Sequence, residues 1–189
     1  LNYLDIKTVI VSCGTCMDQL LKYEFGKIFP GCRLLDIHEY LLEKGIKLEQ
    51  ATGVRYLYHA PCHSPMKTYA PLKVVSELMA TTVPLNDRCC GESGTFGVAL
   101  PHIATQVRFR KEEELRKGAA VLRNDGYAGE VKGLTSCPAC QQGLSRYTDD
   151  ANISTDYIVV EMAKHLLGPT WLESYITQAN NGGIERVLL

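Results

Sequence analysis

The sequence predicts an α/β fold: a mainly parallel sheet with flanking helices, and a cysteine site at the carboxyl ends of the strands. Three observations carry that expectation. Short apolar runs alternate with stretches at helical spacing, the order that builds a parallel sheet covered on both faces. Glycine and proline punctuate the alternation, as at Pro30-Gly31 and Gly168-Pro169. Cys13, Cys62, Cys89, Cys90 and Cys137 each follow a strand-like run, at the edge where open α/β sheets bind ligands.

The elements follow in order. Lys7-Thr-Val-Ile-Val-Ser12 reads as a buried strand, and Met17 to Phe29 as a helix with Leu20, Leu21 and Phe25 on one face. Cys32-Arg-Leu-Leu-Asp-Ile37 gives a second strand and His38 to Lys44 a short helix closed by Gly45. Val54-Arg-Tyr-Leu-Tyr-His59 is a third strand, running into Ala60-Pro61-Cys62. Lys67 to Ala80 has helical spacing through Leu72, Val75, Leu78 and Met79, and Thr81 to Leu85 reads as a fourth strand. A turn at Gly91-Glu-Ser-Gly94 leads into a long helix from Phe96 to Asn124. Its pairs Arg108/Glu112, Arg110/Glu114, Glu112/Arg116 and Glu113/Lys117 mark a solvated face. Val131 to Ser136 is a fifth strand, Cys137-Pro-Ala-Cys140 opens a helix, and Tyr157 to Leu167 forms another. The tail after Trp171, ending in Asn180-Asn-Gly-Gly183, is expected to be peripheral.

Composition narrows the function classes. The 189 residues are 46% hydrophobic, enough for a buried core. Lysine and arginine (20) balance aspartate and glutamate (21), and no basic stripe is interleaved with aromatics, so the footprint of a nucleic-acid binder is missing. No apolar run reaches the roughly 20 residues of a membrane-spanning helix. Leu1 to Lys7 does not read as a secretory signal, and a cytoplasmic location is expected. The chain begins with leucine, a hint that it was cut from something larger.

Eight cysteines, at 13, 16, 32, 62, 89, 90, 137 and 140, are the unusual feature. Disulfide scaffolds belong to small secreted domains without a core. Clustered cysteines in a chain with a core and no signal point instead to metal binding or redox chemistry. Cys137-Pro-Ala-Cys140 at a strand-to-helix turn lets two thiolates face one ion near helix N–H groups, though such a turn also suits thiol–disulfide exchange. Cys89-Cys90 in a glycine-rich turn can address one centre, or can be two buried small hydrophobes. Cys62 supplies a fifth sulfur. Gly91 and Gly94 permit close backbone approach, and no dinucleotide or Walker pattern is present. His59 and His63 flank Cys62 and are expected to hydrogen-bond or pack rather than ligate. Cys32 reads as a core filler, and His38, His102 and His165 carry no role.

Taken jointly, Tyr58-His-Ala-Pro-Cys-His63, Cys89-Cys-Gly-Glu-Ser-Gly94 and Thr135-Ser-Cys-Pro-Ala-Cys140 resemble the cysteine-rich CCG domain family. That domain occurs in a subunit of heterodisulfide reductase. It is also found in the iron–sulfur components of glycolate oxidase, anaerobic glycerol-3-phosphate dehydrogenase and lactate-utilisation systems. The family arrangement is a Cys, then Cys-Cys-Gly, then Cys-x-x-Cys, generally in two tandem copies. In heterodisulfide reductase such five-cysteine sets hold a noncubane 4Fe–4S cluster. The stretch from Cys62 to Cys89 is shorter than in that pattern, and the one from Cys90 to Cys137 longer. A conventional four-cysteine cluster, or zinc in its place, stays open.

The resemblance implies that Cys62, Cys89, Cys90, Cys137 and Cys140 bind the cluster. Val11-Ser-Cys-Gly-Thr-Cys16-Met-Asp-Gln-Leu20 and Asp36-Ile-His-Glu-Tyr-Leu41 resemble the end of a preceding repeat. Residues 1–53 are then the second half of a degenerate or truncated repeat, 54–168 a complete one, and 169–189 a peripheral tail. Cys13 and Cys16 form either a separate site or an unligated pair. The implied function is one-electron transfer, as the iron–sulfur domain of a larger flavin-linked oxidoreductase of the 2-hydroxy-acid oxidising type, without complete activity of its own. A flavoprotein subunit or domain would be the electron donor, and membrane association would be peripheral, through partners. The alternatives are a cluster- or thiol-based disulfide reductase component and a structural zinc module without redox work.

Overall fold

The computed structural model describes residues 5–92 and 94–182. Ser93 of the Cys89–Gly94 motif, the first four residues of the stretch read against a secretory signal, and the tail from Gly183 lie outside the described residues. The architecture is α/β, as predicted, but its strands form two parallel sheets rather than one.

The first sheet pairs β1 (Thr8–Val11) with β2 (Arg33–Asp36), Thr8 opposite Arg33 and Val11 opposite Asp36. Between them lie α1 (Gly14–Lys22) and α2 (Phe25–Ile28). The single helix predicted from Met17 to Phe29 is broken because Glu24 takes a left-handed conformation (φ 53°), which no α-helix can propagate. After β2, Asp36 caps α3 (Ile37–Glu43) by accepting the His38 N–H at 2.9 Å.

The second sheet has the order β3-β4-β5: β3 (Arg55–His59), β4 (Val131–Thr135) and β5 (Ser154–Tyr157). Arg55 pairs with Val131 and His59 with Thr135, and Thr135 with Tyr157, so all three strands end at one edge. Every residue of the central β4 is buried, as expected of a parallel strand covered on both faces. Strand alternation divides the core. Tyr56, Tyr58 and Leu134 pack with Val74, Val75 and Leu78 of α4 (Pro71–Leu78) and with Ile158 and Met162 of α9. On the other face Leu57 and Val131 pack with Leu115 and Ala119 of α6 and with Leu144 of α7. The ranges are α5 (Phe96–Ala99), α6 (Pro101–Leu122), α7 (Pro138–Leu144), α8 (Thr148–Ala151), α9 (Ile158–Leu167) and α10 (Trp171–Gly182), with a 3₁₀ turn at Ser145–Tyr147.

Proline accounts for three departures from the predicted elements. Pro101 pushes Leu100 out of helical geometry (φ −134°, ψ 61°), splitting the long helix into α5 and α6. Pro71 starts α4 later than its apolar spacing suggested. Pro84, which has no N–H to donate, limits the predicted fourth strand to an isolated parallel bridge between Tyr58 and Leu85. Two bonds hold that bridge: Tyr58 N–H to the Pro84 carbonyl (2.9 Å) and Asn86 N–H to the Tyr58 carbonyl (2.8 Å). The chain leading to Cys89 is therefore still tied beside β3. Strand β5 was not expected, because Ser-Thr-Asp-Tyr carries little apolar signal.

The two sheets are bound by polar contacts. Glu39 of α3 accepts the N–H groups of Thr68 and Tyr69 at 2.7 and 2.8 Å, and the Tyr157 hydroxyl donates to the Ser12 carbonyl at 2.8 Å. Among the described residues no helix is long and apolar enough to cross a membrane.

Candidate metal centre

Three chain segments bring cysteines to the carboxyl edge of the second sheet. Cys62 follows β3, Cys89 and Cys90 follow the Leu85 bridge, and Cys137 is the N-cap of α7 with Cys140 in its first turn. All five thiols line one cavity of about 150 Å³, together with His63, Glu92 and Thr15. The Cys62 and Cys89 sulfurs are 3.8 Å apart and those of Cys90 and Cys140 3.3 Å apart. Both separations far exceed the roughly 2.05 Å of a disulfide bond, and every cysteine is a free thiol.

Local backbone geometry builds this convergence. The left-handed conformations of Arg88 (φ 72°) and Gly91 (φ 77°) bend the chain on both sides of Cys89-Cys90. A side chain at Gly91 would also meet Arg108 Cγ at 2.9 Å. The Gly91 N–H points at the Cys89 sulfur, at 3.4 Å. Behind the turn, the buried Lys111 ammonium donates to the Asn86 carbonyl (3.0 Å), Asn86 Oδ1 (2.6 Å) and the Asp87 carbonyl (2.6 Å). Burial pushes the Lys111 ammonium down to about 8. Sequence reasoning missed this residue, reading its helix as a solvated face. Its only signal was a position that spacing alone puts among charged neighbours.

The electrostatics are those of crowded thiolates. A hydrogen bond from the Cys140 thiol holds Cys90 down at about 4, against the opposing effect of burial. The same Cys140 thiol and the N–H groups of Ala139 and Cys140 bring Cys137 to about 6. Cys140 is driven far up by the two sulfurs it serves, and burial followed by Cys89 raises Cys62. Such a set cannot deprotonate throughout without a compensating cation. The residues therefore fit a thiophilic metal or an iron–sulfur cluster, with Cys62, Cys89, Cys90, Cys137 and Cys140 as the available sulfur donors. Arg108 abandons its predicted helical partner and meets Glu92 at 3.1 Å, joined by Arg146 at 2.5 Å, so guanidinium charge stands beside the cavity.

Two histidines flank Cys62 in sequence but differ in setting. His63 is exposed, and its Nδ1 lies 2.5 Å from Asp18, which also pairs with Lys67 at 2.7 Å. His59 is 2% exposed, and neither ring nitrogen has a hydrogen-bond partner. Its ligand atoms and those of Cys90 and Cys140 all lie within 4.8 Å of one another.

The N-terminal segment abuts the same edge. A Cβ on Gly14 would fall 1.6 Å from the His63 carbonyl oxygen, so the start of α1 rests directly on the Cys62–His63 turn. Cys13 and Cys16 do not line the cavity. Their thiols are mutual neighbours, since a hydrogen bond with Cys13 raises Cys16. Among the described residues they join no compact group of three metal-ligating side chains. Cys32 is buried, away from the cavity, and His38 is buried with Nδ1 held by Asp36 at 2.8 Å.

Residues 145–189 match a family described as a domain of unknown function, DUF3400. Over 148 residues the chain is 28% identical to a subunit of the fumarate reductase (CoM/CoB) of Methanothermobacter marburgensis, an alignment covering 74% of this chain and 27% of that protein. The chain thus spans about a quarter of the length of this curated relative. No solved structure matches the chain.

Proposed function

We propose that this chain is an iron–sulfur electron-transfer domain of the CCG type, acting within a larger oxidoreductase. The observation that supports the reading most is the meeting of five free thiols from three segments in one cavity. Cys62, Cys89, Cys90, Cys137 and Cys140 hold the cluster, of the 4Fe–4S type. When bound, it supplies a one-electron couple tuned by hydrogen bonds, charge and burial. The chain's own contribution is to exclude solvent from Cys90 and Cys140, to aim the Gly91 N–H at Cys89, and to offset negative charge with Arg108 and Arg146.

In this reading residues 54–168 are one complete repeat and 1–53 the latter half of another, with 169–189 peripheral. Cys13 and Cys16 are the remnant of that other repeat. Electrons come from a flavoprotein subunit or domain, and the parent enzyme oxidises a 2-hydroxy acid in the cytoplasm. A second reading, a disulfide reductase component, is favoured by the similarity to a reductase whose name carries CoM/CoB.

Anaerobic iron and sulfide analysis followed by a redox titration tests the proposal. Iron and inorganic sulfide with a reversible one-electron couple are expected. A colourless zinc protein, or a cluster silent across the usual iron–sulfur range, would overturn it. Turnover of a disulfide by the chain would favour the second reading.

A further inference from the structure

We infer that His59 is itself a ligand of the metal centre, gripping one iron together with Cys90 and Cys140; this rests on the iron–sulfur reading above. His59 is the last residue of β3, opposite Thr135 in the ladder, so its place beside Cys90 and Cys140 is set by the sheet rather than by a loop. The imidazole is 2% exposed and both nitrogens are unpartnered. Leaving such a group unsatisfied in a protein interior costs its full desolvation penalty, so native structures rarely do so without a bound species to meet it. The contrast with His38 is direct: that ring is equally enclosed, but Asp36 holds its Nδ1 at 2.8 Å.

Bonds of about 2.0–2.3 Å to a tetrahedral ion put donor atoms roughly 3.3–3.8 Å apart. The Cys90–Cys140 separation is already 3.3 Å, and the nitrogen lies inside the same 4.8 Å group. Only a small contraction closes the triad on one ion. Cys62 and Cys89, at 3.8 Å, make a second close pair in the same cavity. Imidazole in place of thiolate raises the potential of an iron–sulfur centre, so this ligand would set the energy at which the domain passes its electron.

Pulsed electron paramagnetic resonance on the iron- and sulfide-reconstituted chain tests the assignment, with histidine alone labelled with ¹⁵N. The paramagnetic level should show a strongly coupled nitrogen that changes isotope signature with the label. The signal should vanish in His59→Gln and persist in His63→Gln. Should His59→Gln fail to fold, His63→Gln still decides, because His59 and His63 are the histidines beside the cavity cysteines. A coupling lost in His63→Gln, or one surviving in folded His59→Gln, overturns the assignment. An iron-loaded paramagnetic sample without histidine coupling overturns it alone, whereas a chain that takes up no iron overturns the carrier reading and this ligand together.

Discussion

Lys111, wholly buried in α6, directs its ammonium at Asn86, donating to both the backbone carbonyl (3.0 Å) and the side-chain oxygen (2.6 Å). Asn86 in turn donates its amide to the Glu114 carbonyl at 2.9 Å. This latch fixes the chain between the Leu85 bridge and Cys89.

Lys111→Met keeps the apolar stem but strands three acceptors, the two on Asn86 buried. A loss of about 2 kcal/mol or more is expected, read as a lower urea midpoint. Cluster incorporation should fall with it. Unchanged stability would show that the latch is dispensable.

Serine at Cys62, Cys89, Cys90, Cys137 or Cys140 should abolish or sharply reduce iron content after reconstitution, while Cys32→Ser leaves it intact. Iron surviving all five substitutions would refute the ligand set. One cluster per chain is expected, because Cys13 and Cys16 have no further partners for a second among the described residues.

Gly14→Ala and Gly26→Ala make a paired test of the α1 docking. The first places a methyl 1.6 Å from the His63 carbonyl, the second meets nothing within 4 Å. Gly14→Ala should lose about 1–3 kcal/mol, and Gly26→Ala should be neutral or gain up to about 1 kcal/mol. Thermal unfolding of both distinguishes these outcomes.

Glu161 is buried in α9, where burial alone would raise its carboxyl pKa. Lys132 at 2.8 Å, with His165 and Tyr56, reverses that and lowers it below the usual carboxylate range. A depressed folded value means that its stabilising contribution is present above the ordinary carboxyl range and is lost as pH falls through the folded value. Urea unfolding from pH 7 downwards should show this acid-side loss. Glu161→Gln should flatten it and cost about 3 kcal/mol at neutral pH by stranding Lys132.

Much of the layout was legible because apolar period and chain punctuation are local properties. Lys7–Ser12, Cys32–Ile37, Val54–His59 and Val131–Ser136 each contain a strand, and cysteines stand at the turns after the first, third and fourth of them. Pro84, Pro101 and Glu24 marked where local reading failed. The two prolines were visible in the sequence but were outweighed by the apolar pattern around them, while the left-handed turn at Glu24 had no compositional signal. Strand β5 escaped because a short polar edge strand gains its order from β4, not from its own residues.

The sequence by itself determined the alternating fold, the five cysteines at strand ends and the absence of a basic or membrane-spanning signature. Residue type and spacing carry those facts directly. Only the tertiary structure decided that β1 and β2 stand as a separate sheet, that Lys111 is buried, and that His59 rather than His63 is the enclosed histidine. Each depends on which distant surface covers a residue. Cys90 and Cys140 meet at 3.3 Å across 50 positions of chain because parallel strands bring their carboxyl ends to one edge, a relation no local pattern contains.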